Sequence, residues 1–271
     1  MDEAAYFENI ASYKLLAKKE VGQNFLVDSR VAGSIVASLE AKEGEKVLEI
    51  GCGTGALTYF LEQSKASVDA IDIDEAMLAK TGNDFASSDH LKVFYGNACD
   101  YDYSSYQKIV GNLPYYITSL ILEKVLLGAK KASRLVFMVQ KEAGERILAK
   151  PSTKDYGPLN ILLDLLYQKK KILTVSRNSF VPAPHVESCV YQFDRKETPI
   201  PYGEKVYRLA LEMFKFRRKT IYNNLKTYLG DGEIAKAILS EVHLNENLRP
   251  ENLSPSQYES LFQSVSKRKG E

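Results

Sequence analysis

The sequence predicts an α/β protein, a mostly parallel Rossmann-like sheet followed by a small helical domain. Three observations predict it. From Lys46 to Val139, short runs rich in branched apolar residues alternate with stretches of helical periodicity. The first of those runs, Lys46-Val47-Leu48-Glu49-Ile50, empties into a glycine turn that opens a helix. Beyond Arg195 the alternation stops, and apolar residues recur at helical spacing to the end.

Composition narrows the class. The chain has 271 residues, enough for one large domain and a small one. A hydrophobic fraction of 45% and a charged fraction of 26% are ordinary for a water-soluble globular chain. The net charge is only +1, so any basic surface has to come from local clustering. Cys52, Cys99 and Cys189 lack metal-ligand spacing, and an odd count argues against a disulfide framework. A reducing, cytoplasmic setting without a metal is the expectation. Asp2, Glu3 and Glu8 rule out a signal peptide at the N-terminus, and no apolar run reaches bilayer-spanning length.

Three segments are expected: an arm over residues 1–20, a catalytic domain over 21–195 and a helical domain over 196–271. The arm reads as loosely packed. Gln23 and Asn24 lie in the loop before a helix that Asp28 or Ser29 caps, with Val31, Ile35 and Leu39 on its apolar face. Strand 46–50 enters Gly51-Cys52-Gly53-Thr54-Gly55, where glycines let the backbone come close to a ligand. The spacing is not that of the dinucleotide fingerprint, because the third glycine comes one residue early. The next strand ends in Asp72, about 20 residues on, where an acid can accept hydrogen bonds from both ribose hydroxyls. Loop and acid together point to an adenosine-containing cofactor. A third strand, Leu91 to Tyr95, is followed by Asn97, which suits either an adenine edge or a plain turn.

Lys108-Ile109-Val110 then leads into Gly111-Asn112-Leu113-Pro114-Tyr115-Tyr116 and a helix capped by Thr118 or Ser119. Pro114 fixes its own φ and pushes Leu113 into an extended conformation. An amide oxygen, a carbonyl and an aromatic face are thereby held beyond a strand end, which suits a planar base bearing an amine. On these six residues alone an ordinary proline turn is the stronger reading. A fifth strand, Arg134 to Val139, and an apolar helix, Leu159 to Leu166, follow. Ile172–Ser176 and Cys189–Phe193 flank Asn178 to Pro184 and read as a hairpin added to the sheet. An alternating sheet closed in this way is the usual shape of an S-adenosylmethionine methyltransferase domain. After a linker with Pro199 and Pro201, a helical stripe carries Lys215, Arg217, Arg218 and Lys219 interleaved with Phe216 and Tyr222. Such a patch suits nucleic acid or a merely solvated face about equally.

Taken together, Gly22-Gln23-Asn24-Phe25-Leu26, Glu49 to Gly55, Asn112-Leu113-Pro114-Tyr115, Val139-Gln140-Lys141-Glu142 and Phe180-Val181-Pro182-Ala183-Pro184 resemble the small-subunit ribosomal RNA adenine dimethyltransferases. Phe214 to Thr220 with Asn223-Asn224-Leu225 resembles that family's C-terminal signature. The resemblance implies S-adenosylmethionine as cofactor. It implies that Asn24, Leu26 and Gly51 contact it, that Asp72 holds its ribose, that Asn97 meets its adenine and that Asn112 sits where cofactor and target base meet. It also implies dimethylation at N6 of two adjacent adenosines in a hairpin near the 3′ end of small-subunit RNA, carried in an immature subunit. Asn112 and Leu113 would accept the amine's N–H bonds, Pro114 would fix the turn, and Tyr115, Tyr116 and Phe180 would hold the flipped base. Lys215, Arg217, Arg218 and Lys219 would meet RNA, with the protein acting as a monomer and away from membranes. The chain departs from the family pattern at three places. Asp72 stands where Glu is frequent, Asn97 where Asp is usual, and Lys19-Glu20-Val21 where Lys-Arg-Phe is usual. Competing readings are a large-subunit RNA or DNA adenine methyltransferase, against which Leu113 and the tail argue, and a non-catalytic ribosome assembly factor.

Overall fold

The computed structural model describes residues 2–13, 23–198 and 200–269. Gly22, Lys19-Glu20-Val21 and Pro199 lie outside the described residues. Two compact units emerge, Met1–Gly144 with Lys169–Arg195, and Glu145–Gln168 with Lys196–Glu271.

In the first unit, α1 (Glu3–Ser12) begins at Asp2, whose carboxylate accepts from the Ala5 N–H. Its Tyr6, Phe7 and Ile10 are buried in the core of the unit. The loosely packed arm is therefore corrected for residues 2–13: an apolar i, i+1, i+4 face is enough to dock a ten-residue helix. β1 (Phe25–Leu26) follows, and α2 (Ser29–Leu39) starts at Asp28, which caps the Arg30 N–H. Then come β2 (Lys46–Ile50), α3 (Ala56–Gln63), β3 (Ser67–Asp72), α4 (Glu75–Asp84), β4 (Leu91–Tyr95), β5 (Lys108–Asn112), α5 (Thr118–Gly128) and β6 (Arg134–Gln140). Helix α6 (Lys141–Ile147) leaves the sheet, α7 (Pro158–Leu166) follows, and β7 (Tyr167–Val175), β8 (Phe180–Val181) and β9 (Ser188–Arg195) return.

Seven strands form one sheet in the order β4-β3-β2-β5-β6-β9-β7, and β1 pairs β8 separately. Strands β2 to β6 run parallel, and β9 runs antiparallel to β6. The strand order reverses between β2 and β5. A doubly wound sheet opens a crevice at that point, beyond the carboxyl ends of the strands. Gly111 makes the approach of β5 to β2 possible there, since a Cβ on it would sit 2.6 Å from the Ile50 carbonyl oxygen.

The second unit holds α7 together with α8 (Gly203–Phe214), α9 (Ile221–Leu229), α10 (Gly232–Glu241) and α11 (Pro255–Lys269). Residues 145–168 fall here rather than in the catalytic segment where the sequence division put them. The reason is packing: Ile161 and Leu165 of α7 share a core with Val206, Leu209, Ala210 and Met213 of α8. Asn160 reinforces it, its amide nitrogen donating to the carbonyls of Arg146 and Ile147 and its oxygen accepting from the Gly157 N–H.

Candidate active site

The crevice at the strand reversal holds a cavity. Asn24, Leu26, Gly51, Asp72, Asn112, Leu113, Pro114, Tyr115 and Tyr116 all line it. Gly51 to Thr54 of the glycine loop line it as well. Gly51, Gly53 and Gly55 all have positive φ, so a side chain at any of them would be strained. The Gly51 and Cys52 N–H groups both donate to the Ile71 carbonyl, which ties the loop to β3.

Asp72 ends β3 beside this loop. One carboxylate oxygen accepts from the Gly53 N–H at 2.9 Å and the other from the Asp74 N–H at 2.9 Å. Burial raises its carboxyl above the usual range, against these two bonds, which lower it. A carboxylate has about four lone-pair positions, so capacity for hydroxyl donors remains.

On the other side of the strand reversal, Asn112 closes β5. Its Oδ1 is buried and has no hydrogen-bond partner among the described residues. Leu113 donates its N–H to the Met138 carbonyl at 3.0 Å, which holds the turn to β6. No side chain caps α5; instead the Thr118 hydroxyl reaches back to the Pro114 carbonyl at 3.0 Å. The Tyr115 hydroxyl meets that of Ser188 at 3.2 Å, and burial raises its pKa. Tyr116 is exposed at the mouth.

A second buried polar atom without a partner among the described residues lines the same cavity. Glu49 is fully buried in β2, its Oε2 accepting from the Thr58 hydroxyl at 2.7 Å while Oε1 has no partner. Burial, aided by the nearby Asp72 charge, pushes its carboxyl up to about 8. Sequence reasoning passed over Glu49 as a strand residue. The available signal was an acid inside an otherwise apolar, buried run. Gln23, Ile73 and Asp74 also line the cavity, and the Gln23 amide donates to Asp74 at 3.4 Å.

Two predicted residues stand elsewhere. Asn97 is not among the lining residues; its oxygen accepts from the Cys99 N–H and its amide donates to Asp100, so a turn accounts for it. Phe180 is 2% exposed, paired opposite Leu26 in the β1–β8 ladder and packed in the core rather than on the cavity wall. In the helical unit, Arg217 reaches Glu251 at 3.4 Å and the Thr153 carbonyl at 3.2 Å. Lys215 pairs Glu212 at 2.6 Å, Lys219 lies 4.7 Å from the Phe216 ring centroid, and Arg218 is exposed. Asn224, which is buried, donates its amide to the carbonyls of Phe216, Lys219 and Thr220 and so shapes this basic turn. Among the described residues no cluster of His, Cys, Asp or Glu could hold a metal, and no helix is long and apolar enough to cross a membrane.

This sheet order, with a glycine loop and an acid facing an Asn-Leu-Pro-Tyr turn across the reversal, defines a class I S-adenosylmethionine-dependent methyltransferase. The profile of the ribosomal RNA adenine dimethylase family matches residues 14–267. A Streptococcus sanguinis ribosomal RNA small subunit methyltransferase A is 37% identical over 268 residues, covering 92% of this chain and 91% of that one. Its Mesomycoplasma hyopneumoniae (strain 232) counterpart is 36% identical, covering 89% and 93%. Among solved structures, a Plasmodium falciparum dimethyladenosine transferase superposes with a TM-score of 0.77 at 26% identity, covering 91% and 98%. The 23S rRNA methyltransferase ErmE shares the fold, with a TM-score of 0.67 at 22% identity over 90% and 100%. The chain belongs to the ribosomal RNA adenine dimethylase family. It is an enzyme of ribosomal RNA adenine dimethylation, and its cofactor is S-adenosylmethionine.

The cavity fits that cofactor. Among the described residues, Glu49 Oε1 is a buried polar atom on the cavity wall that a ligand can satisfy, and Asp72 stands where an acid can take ribose hydroxyls.

Proposed function

We propose that this protein dimethylates N6 of two adjacent adenosines in a hairpin near the 3′ end of small-subunit ribosomal RNA, within an immature small subunit. Asn24, Leu26, Gly51, Glu49 and Asp72 hold the cofactor, and Asn112, Leu113, Pro114 and Tyr115 act on the base. The observation that carries the reading is the buried, partnerless Oδ1 of Asn112 on the cavity wall, held by a turn bonded to β6 on one side and α5 on the other.

S-adenosylmethionine supplies an electrophilic methyl group. The adenine amine is a poor nucleophile, because its lone pair is delocalised into the ring. Asn112 Oδ1 and the Leu113 carbonyl accept its N–H bonds and so orient the nitrogen that its lone pair is freed from conjugation with the ring. As nitrogen gains positive charge, the same two acceptors stabilise it, and they do so without reorganising, since Pro114 already fixes them. The methylated nitrogen is acidic enough to give its proton to water, so no strongly basic side chain is required. Tyr115 offers its ring to the flipped base, which only an unstacked adenosine can reach. Arg218 and Lys219 of the helical unit meet phosphates, and the protein works as a cytoplasmic monomer.

The test is a mass-spectrometric map of dimethyladenosine on ribosomal RNA from cells with and without the protein. Two adjacent dimethyladenosines in the small-subunit RNA, lost on deletion, support the reading. Loss from large-subunit RNA instead would assign it to the competing substrate.

A further inference from the structure

Two side chains bonded to the carbonyls of the cofactor loop are not used by the chemistry above. Tyr6 of α1 is 3% exposed, and its hydroxyl donates to the Thr54 carbonyl at 3.2 Å and more weakly to the Gly55 carbonyl at 3.4 Å. Lys80 of α4 is 8% exposed, and its ammonium donates to the same Thr54 carbonyl at 2.6 Å and to the Tyr6 hydroxyl oxygen at 3.3 Å. Asp84, one turn on, balances that charge at 2.6 Å, and the Tyr6 ring lies under it at 4.5 Å. A Cβ at Gly55 would run into the Tyr6 hydroxyl, so helix and loop are fitted closely. Thr81, beside Lys80, donates to the Gly53 carbonyl at 2.8 Å.

The carbonyls of three successive loop residues are thus taken up from α1 and α4, while Gly53 and Thr54 also line the cavity. A loop with three left-handed glycines has much backbone freedom to lose when a ligand binds. Fixing it beforehand removes that cost from binding. We propose that Tyr6 and Lys80 are positioning residues for the cofactor: by pinning the Thr54 carbonyl they preorganise the Gly51–Gly55 loop, which makes the N-terminal helix part of the cofactor site. The proposal rests on the assignment of S-adenosylmethionine to this cavity.

Calorimetric titration of the full chain with S-adenosylhomocysteine, together with steady-state methylation of immature small subunits, tests it. Tyr6→Phe keeps the ring and its packing but loses the hydroxyl. It should weaken binding about fivefold, the worth of one net hydrogen bond, and raise KM for S-adenosylmethionine by the same factor with kcat unchanged. Lys80→Met should weaken binding about tenfold or more, and Lys80→Arg should recover part of the loss. Ile35→Val, in the core but not among the residues that line the cavity or bond the loop, lowers stability and should leave both constants at wild-type values. Wild-type affinity in Tyr6→Phe and Lys80→Met overturns the proposal, as does an equal loss in Ile35→Val. Failure of the wild-type protein itself to bind overturns the cofactor assignment, and the proposal with it.

Discussion

Glu49→Gln should change how stability depends on pH. The carboxyl lies in the dry interior of β2, where burial favours its neutral form and the neighbouring Asp72 charge adds to the effect, while the Thr58 hydroxyl opposes both. Its folded value of about 8 stands above an ordinary value of 4.5, so between those limits the folded state holds a proton that the unfolded chain has released. Stability from this group is therefore complete below about pH 4.5 and is lost as pH rises to about 8. Integrating the linkage between pH 5.5 and 8.5 gives a loss of about 3 kcal/mol. Glutamine keeps the bond to Thr58 and cannot ionise. Urea unfolding of the cofactor-free proteins at the two pH values measures the effect. The wild type should lose about 3 kcal/mol more than Glu49→Gln over this range. Parallel losses in the two proteins would mean that Glu49 is already charged in the folded state and that its burial has been misjudged.

Two further outcomes are expected. Ser188→Ala and Tyr115→Phe break the same hydroxyl pair, so each should slow methyl transfer about fivefold and the double variant should be no worse than either; additive losses would mean the hydroxyls act separately. Arg218→Ala with Lys219→Ala should weaken binding to immature small subunits about tenfold at moderate salt and less at high salt, whereas Arg217→Ala should act mainly on stability, through Glu251 and Thr153, by about 1 kcal/mol or less. A salt-independent loss in the first variant would remove RNA contact from the basic turn.

Much of this was legible in the sequence because strands in a parallel sheet are continuous apolar runs, and strand 91–95 and the end of the strand at Asp72 coincide with what is observed. Asn24, Leu26, Gly51, Asp72 and the turn from Asn112 to Tyr116 do line one cavity. What sequence hid depends on tertiary partners. Glu49 looks like any strand residue until its burial and partnerless oxygen are seen. Phe180 has the expected aromatic character but faces the core, because β8 pairs with β1 and the ladder fixes its direction. Helix α7 reads as part of the catalytic segment in chain order, yet its apolar face is completed by α8. Arg217 has the composition of an RNA contact and the hydrogen bonds of a structural one.

Asn112→Ala tests the central claim most directly. Methyl transfer to immature small subunits and calorimetric binding of S-adenosylhomocysteine should be measured on the same preparation. Loss of the buried Oδ1 should slow transfer by about 100-fold or more, as removal of a preorganised charge-stabilising group does, with cofactor affinity changed by only about threefold. Wild-type transfer in this variant would contradict the account, for the amine would then be oriented by something other than Asn112.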